Sequence, residues 1–110
     1  MNNDDVQYIN EISYGYWKAQ ALFVASELDL FTLIGERGKS GKVITKKLGT
    51  DPRATEMLLN ALVSLNLLSK SKEIFSNTAV SKRCLSKNGP AYQGDRIQHF
   101  HNMWDYWSGL

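Results

Sequence analysis

The stretch Leu48-Gly49-Thr50-Asp51-Pro52 closes one helix and opens another almost without a gap. Glycine accepts the left-handed backbone that ends a helix, so Gly49 suits a C-terminal cap. An aspartate side chain accepts hydrogen bonds from the free N–H groups of a first turn, and proline is tolerated at the first helical position, where its missing N–H costs nothing. The chain is therefore expected to form a tight helical corner here. Upstream, Val43, Ile44 and Leu48 make the first helix of the corner amphipathic. Downstream, Ala54, Met57, Leu58, Ala61, Leu62 and Leu65 recur at helical spacing, with Leu59 and Val63 widening the apolar arc. Asn66 is a natural left-handed stop. The polar turn Ser69-Lys70-Ser71-Lys72-Glu73 and the strand-like Ile74-Phe75-Ser76 then predict a β-hairpin. Helix, turn, helix and hairpin over residues 43–76 is a winged-helix pattern.

Longer helices flank this middle. Residues 1–5 read as a loose tail. From residue 6 to 28, Val6, Ile9, Ser13, Tyr16, Trp17, Gln20, Phe23, Val24 and Leu28 follow helical spacing, with Gly15 a site for a kink or a close neighbour. A short helix is expected over residues 30–34 after a break near Asp29, then a flexible glycine-rich turn over residues 35–42. Asn77-Thr78 offers a cap for a helix over residues 79–85, and Lys87-Asn88-Gly89-Pro90 breaks the chain. The last helix, from about residue 91 to 110, carries Ile97, Phe100, Met103, Trp104, Tyr106 and Trp107 on one half. Gln98, His101, Asn102, Asp105 and Ser108 lie on the other half, and His99 falls on the aromatic side. The fold expected is mainly α: one winged-helix-like domain over residues 1–110, with one small β-hairpin and long aromatic N- and C-terminal helices.

Charge and composition narrow the functions. A net charge of +2 is too small to imply a nucleic-acid or acidic-membrane partner. The single cysteine, Cys84, excludes an internal disulfide and suits a reducing compartment. No apolar run approaches the roughly 18–20 residues of a membrane span, and the polar, acidic start is unlike a signal peptide, so a cytoplasmic location is the default.

Glycines at 35, 38 and 41 are spaced G-x-x-G-x-x-G, and no β-branched strand precedes them, unlike a dinucleotide-binding loop. His99 and His101 stand roughly 200° apart on a helix, so they cannot share a metal that wants three or four ligands. No nucleophile elbow or paired carboxylates appear. DNA binding is the rival reading. Arg53 and Asn60 lie on the outer arc of the helix that would enter a groove, but Glu56 there would repel phosphates. The cations Lys70, Lys72, Lys82, Arg83 and Lys87 read as a solvated rim.

The aromatic share of 11% is concentrated on the two long helices. A wide aromatic surface on a small domain needs a partner, and a two-fold pair would bury the same patch on both copies. Five stretches have a familiar order and spacing: Tyr16-Trp17-Lys18-Ala19-Gln20-Ala21-Leu22, Glu27-Leu28-Asp29-Leu30-Phe31, residues 48–55, residues 58–68, and Trp104-Asp105-Tyr106-Trp107-Ser108-Gly109-Leu110. On these the chain resembles the N-terminal dimerisation domain of small-molecule S-adenosylmethionine-dependent O-methyltransferases.

The resemblance implies a homodimer with Ile9, Ile12, Tyr16, Phe23 and Phe100 at its interface. It implies a substrate wall formed by Tyr16 and Trp17 across the dimer and by His99, Met103, Trp104 and Trp107 on the same chain, around a small aromatic or polyketide-like acceptor. It also implies that S-adenosylmethionine and the catalytic base belong to a domain following residue 110 in the parent enzyme. The chain alone would then be non-catalytic, with no catalytic, cofactor-binding or metal residues of its own.

Overall fold

A computed structural model describes residues 3–110. Helix α1 spans Asn3–Glu27 and α2 spans Leu30–Ile34; a short strand β1 (Lys39–Ser40) leads into α3 (Gly41–Leu48) and α4 (Pro52–Ser64). Strands β2 (Leu68–Ser71) and β3 (Ile74–Asn77) form the wing, followed by α5 (Ala79–Cys84) and α6 (Gly94–Ser108). The domain is mainly helical and winged-helix-like, as its sequence predicts.

The helical corner forms for the expected local reasons. Gly49 closes α3 at φ 66°. Asp51 Oδ2 accepts from the Ala54 N–H at 2.8 Å at the start of α4. Asn66 is left-handed at φ 62°. Asp29, also left-handed at φ 55°, makes the break between α1 and α2.

The sheet differs from expectation. It has three antiparallel strands in the order β1-β3-β2, not one hairpin. The glycine-rich stretch is not a free turn: Lys39 pairs with Phe75 and Ser40 with Ile74. A Cβ on Gly38, at φ +79°, would sit 2.5 Å from Ser76 Oγ and 2.8 Å from the Phe75 carbonyl oxygen, so this glycine lets β1 lie against β3. Ser69, Lys70 and Ser71, expected in a turn, belong to β2, and the turn shrinks to Lys72 and Glu73. Thr78 does begin α5, but its hydroxyl donates to the Leu67 carbonyl at 3.2 Å instead of capping the helix. Among the described residues the loose tail is not seen, because α1 already begins at Asn3; Met1 and Asn2 lie outside them. The last helix starts at Gly94, three residues later than about residue 91.

The core gathers Leu30, Phe31 and Ile34 of α2, Ile44 of α3, Leu59 and Leu62 of α4, and Leu68 and Phe75 of the sheet. Ala21 and Ala25 of α1, with Leu85 and Ile97, close it. Full burial of one such large side chain is worth roughly 1.5–3 kcal/mol. In α4 the buried row is Thr55, Leu59 and Leu62, while Ala54 and Met57, expected inside, are exposed. A polar pin ties sheet to helix: Asn77 Nδ2 donates to the Phe31 carbonyl at 2.8 Å and to the Gly35 carbonyl at 3.2 Å.

Candidate pairing surface and pocket wall

The two long helices lie together at one side of the domain and leave much of their apolar surface uncovered. On α1 the buried residues are Ala21 and Ala25 alone, and every residue from 3 to 14 is exposed. At about 100° per residue, Ile9, Ile12, Tyr16 and Phe23 fall within about 60° of one another, on the side opposite Ala21 and Ala25. Small side chains thus seat the C-terminal half of α1 on the core. Larger ones face away from it.

Helix α6 covers the C-terminal part of that outer stripe. The His101 ring meets Phe23 edge-on with centroids 5.2 Å apart, and His101 Nε2 lies 4.0 Å from Glu27 Oε2. Phe23 is consequently half-buried within its own chain, unlike the other residues expected at a two-fold interface. Ile9, Ile12, Tyr16 and Phe100 remain exposed, with Ile12 at 62% and Tyr16 at 57%.

His101 was expected on the polar half of α6. It faces α1 because the packed row of this helix is Gly94, Ile97, His101 and Trp104, at the i, i+3, i+4 spacing of one helical face. Ile97 is buried and Trp104 half-buried on that row. The neighbouring flank holds Phe100, Met103 and Trp107, all exposed, Trp107 at 72%. His99 is exposed, with its ring centroid 5.9 Å from that of Phe100. Of the six residues expected to wall a pocket, Trp104 is half-buried and Tyr16, Trp17, His99, Met103 and Trp107 are exposed. The role of His101 as the α1–α6 contact was missed, although its spacing from Ile97 and Trp104 carried the signal.

Gly15, expected at a kink or a close approach, lies within continuous α1 with nothing within 4 Å of a Cβ placed on it. Cys84 is half-buried. Among the described residues, no three His, Cys, Asp or Glu side chains are grouped to hold a metal ion, and no helix is long and apolar enough to cross a membrane. The glycines of residues 35–41 serve packing: Gly35 closes α2, Gly38 abuts β3, and Gly41 begins α3 against Phe75 and Leu59. The outer face of α4 exposes Arg53, Glu56, Met57, Asn60 and Ser64, a mixed surface with one cation and a methionine that is 66% exposed.

The architecture is a winged-helix-like body that presents two aromatic helices. The model of the O-methyltransferase dimerisation domain matches residues 10–87, and the chain belongs to that family. It is 33% identical over 95 residues to acetylserotonin O-methyltransferase of Bos taurus, covering 81% of this chain and 28% of that protein. An O-methyltransferase family protein from Burkholderia thailandensis superposes with a TM-score of 0.86 at 30% identity, over 96% of this chain and 31% of that one. Human N-acetylserotonin methyltransferase in complex with SAM shares the fold, with a TM-score of 0.82 at 24% identity, over 91% of this chain and 31% of that one. The chain thus spans less than a third of the length of these relatives.

Proposed function

We propose that this chain is the pairing and pocket-lining part of an S-adenosylmethionine-dependent O-methyltransferase. The observation that carries this reading is the row of exposed large apolar residues on α1 and α6 in a member of the dimerisation-domain family. All twelve residues of α1 from 3 to 14 are exposed. Isolated helices shorter than about 12–15 residues are marginal in water, so this arm needs a partner to persist. A second copy supplies one with the same apolar chemistry, and a two-fold pairing buries Ile9, Ile12, Tyr16 and Phe100 on both.

Methyl transfer itself would fall to a separate region of the enzyme that holds the donor and the base. This domain would supply shape. Tyr16 and Trp17 of one copy, with His99, Met103, Trp104 and Trp107 of the other, would enclose a small aromatic or polyketide-like acceptor. They would exclude water and hold the acceptor hydroxyl in line with the methyl group. Flat aromatic walls favour a flat acceptor through stacked and edge-on contacts. A cytoplasmic setting fits the lone Cys84, which a reducing compartment keeps as a thiol.

Sedimentation velocity of the 110-residue chain tests the pairing: a dimer is expected at micromolar concentration, and a strictly monomeric species overturns it. The wall is tested in the complete enzyme with Trp104→Ala and Tyr16→Ala. Both should raise KM for the acceptor and leave donor affinity unchanged. An unchanged acceptor KM removes the wall assignment.

A further inference from the structure

A cleft of about 640 Å³ lies where α3, α4 and the wing meet, on a face to which neither α1 nor α6 contributes a lining residue. Its size is that of small-molecule sites, which run to roughly 300–1,000 Å³ and combine apolar walls with a few convergent polar groups. Its apolar surface comes from Pro52 and the aliphatic stems of the lining lysines, with Leu59 and the edge of Phe75, almost fully buried in the core, lying beneath as its floor. Gly41 opens that floor. A Cβ there would stand 3.5 Å from Phe75 Cε2 and 3.8 Å from Leu59 Cδ1, so a longer side chain would extend into the space a ligand would use.

The rim is charged. Lys42 and Lys46 of α3 come from one side and Lys70 of β2 from the other, against Glu56 and Glu73, so the lining keeps a net positive charge. None of the three lysines has a carboxylate within ion-pair distance among the described residues; the ion pairs found involve Lys82, Lys87 and His101. Lys70 Nζ sits 5.1 Å from the centroid of the Phe75 ring. An anion held by Lys70 would therefore bring the body attached to it beside Phe75.

We infer that this cleft binds a small planar aromatic carboxylate, its ring against Pro52 and the edge of Phe75 and its carboxylate between Lys70 and the α3 lysines. Each part of that ligand answers one feature of the site: the ring the apolar floor, the charge the unpaired lysines. DNA fits less well, because Glu56 and Glu73 share the rim and the lining is more apolar than polar.

The test is titration of the isotopically labelled chain with 2-naphthoate, followed by NMR and calorimetry. Saturable amide shifts are expected at residues 41–46, 56–59 and 70–75. The neutral 2-naphthamide and the non-aromatic cyclohexanecarboxylate should each bind at least tenfold more weakly. Lys70→Glu should weaken naphthoate binding at least tenfold, and Gly41→Leu should abolish it with the helical circular dichroism retained. Should Gly41→Leu unfold the chain, Lys70→Glu, a change at an exposed rim position, decides the matter. Absence of shifts at the cleft, equal binding of 2-naphthamide, or shifts confined to α1 and α6 would each overturn the assignment. Binding of a DNA duplex at the same amides in preference to naphthoate would also overturn it.

Discussion

Asn77 is buried and holds two carbonyls of a neighbouring helix and loop, those of Phe31 and Gly35. Truncation to alanine removes both bonds, leaving the Phe31 carbonyl with the Gly35 N–H at 3.3 Å and the Gly35 carbonyl without its side-chain donor. A typical intramolecular hydrogen bond is worth about 0.5–1.5 kcal/mol net, so loss of the two should lower the urea-unfolding free energy of Asn77→Ala by about 1–3 kcal/mol. Gly38 acts through backbone and space together. Its φ of +79° and the approach of Ser76 and Phe75 leave no room for a methyl group. Gly38→Ala should destabilise by more than about 1 kcal/mol, read as a fall of several degrees in Tm by circular dichroism. Neither effect is visible in the local sequence. Asn77 reads there as part of a helix cap and Gly38 as one glycine in a turn, because the groups that constrain them lie far along the chain.

Helix ends were legible and helix faces only partly so. Asp51 caps α4 as its neighbours Thr50 and Pro52 announce, because the bond it makes reaches only to Ala54. Asp51→Ala should cost about 0.5–2 kcal/mol in chemical denaturation, and Asp51→Asn should restore most of it, since asparagine caps equally well. The buried face of α4 lies one residue step, about 100°, from the arc that its apolar residues predict. A wide arc of leucines, alanines and a methionine permits several rotations. Contact with Ile44, Leu68 and Phe75 in the core selects Leu59 and Leu62 and leaves Met57 outside. Helix α6 shows the same ambiguity: its aromatic half is broad, and packing on α1 chooses the row through Ile97, His101 and Trp104 while leaving Phe100 and Trp107 in solvent. The strand β1 has no signature in the sequence, because two residues carry no periodicity and only β3 beside them makes them a strand.

The whole domain is elongated, 48 × 30 × 29 Å, in keeping with an α1 arm of exposed residues. Replacing Ile9 and Ile12 with aspartate should leave the folded monomer within about 0.5 kcal/mol, since exposed positions away from specific contacts rarely matter more. The same change should weaken self-association by burying charge in an apolar seam. Mass action gives a second readout: Tm of the unaltered chain should rise with protein concentration, and that dependence should vanish in the double variant.

The features readable from the chain were those made by neighbours within about one helical turn. Gly49, Asp51, Asn66 and the polar turn of the wing place the corner and the hairpin, because caps, stops and turns depend on groups three or four residues away. Helical geometry alone aligns Ile9, Ile12 and Tyr16 in an apolar stripe, and the burial of Ala21 and Ala25 on the opposite side turns that stripe outward. Assembly in space settled the remainder. It turned a glycine-rich stretch into a third strand, moved His101 from the polar half of α6 onto Phe23, and withdrew Phe23 from the surface on offer to a partner. It also brought Lys42, Lys46 and Lys70 around one cleft. Each of these depends on a contact between segments distant along the chain, such as the bond from Asn77 to Phe31 across 46 residues, and no local pattern encodes which distant partner will arrive.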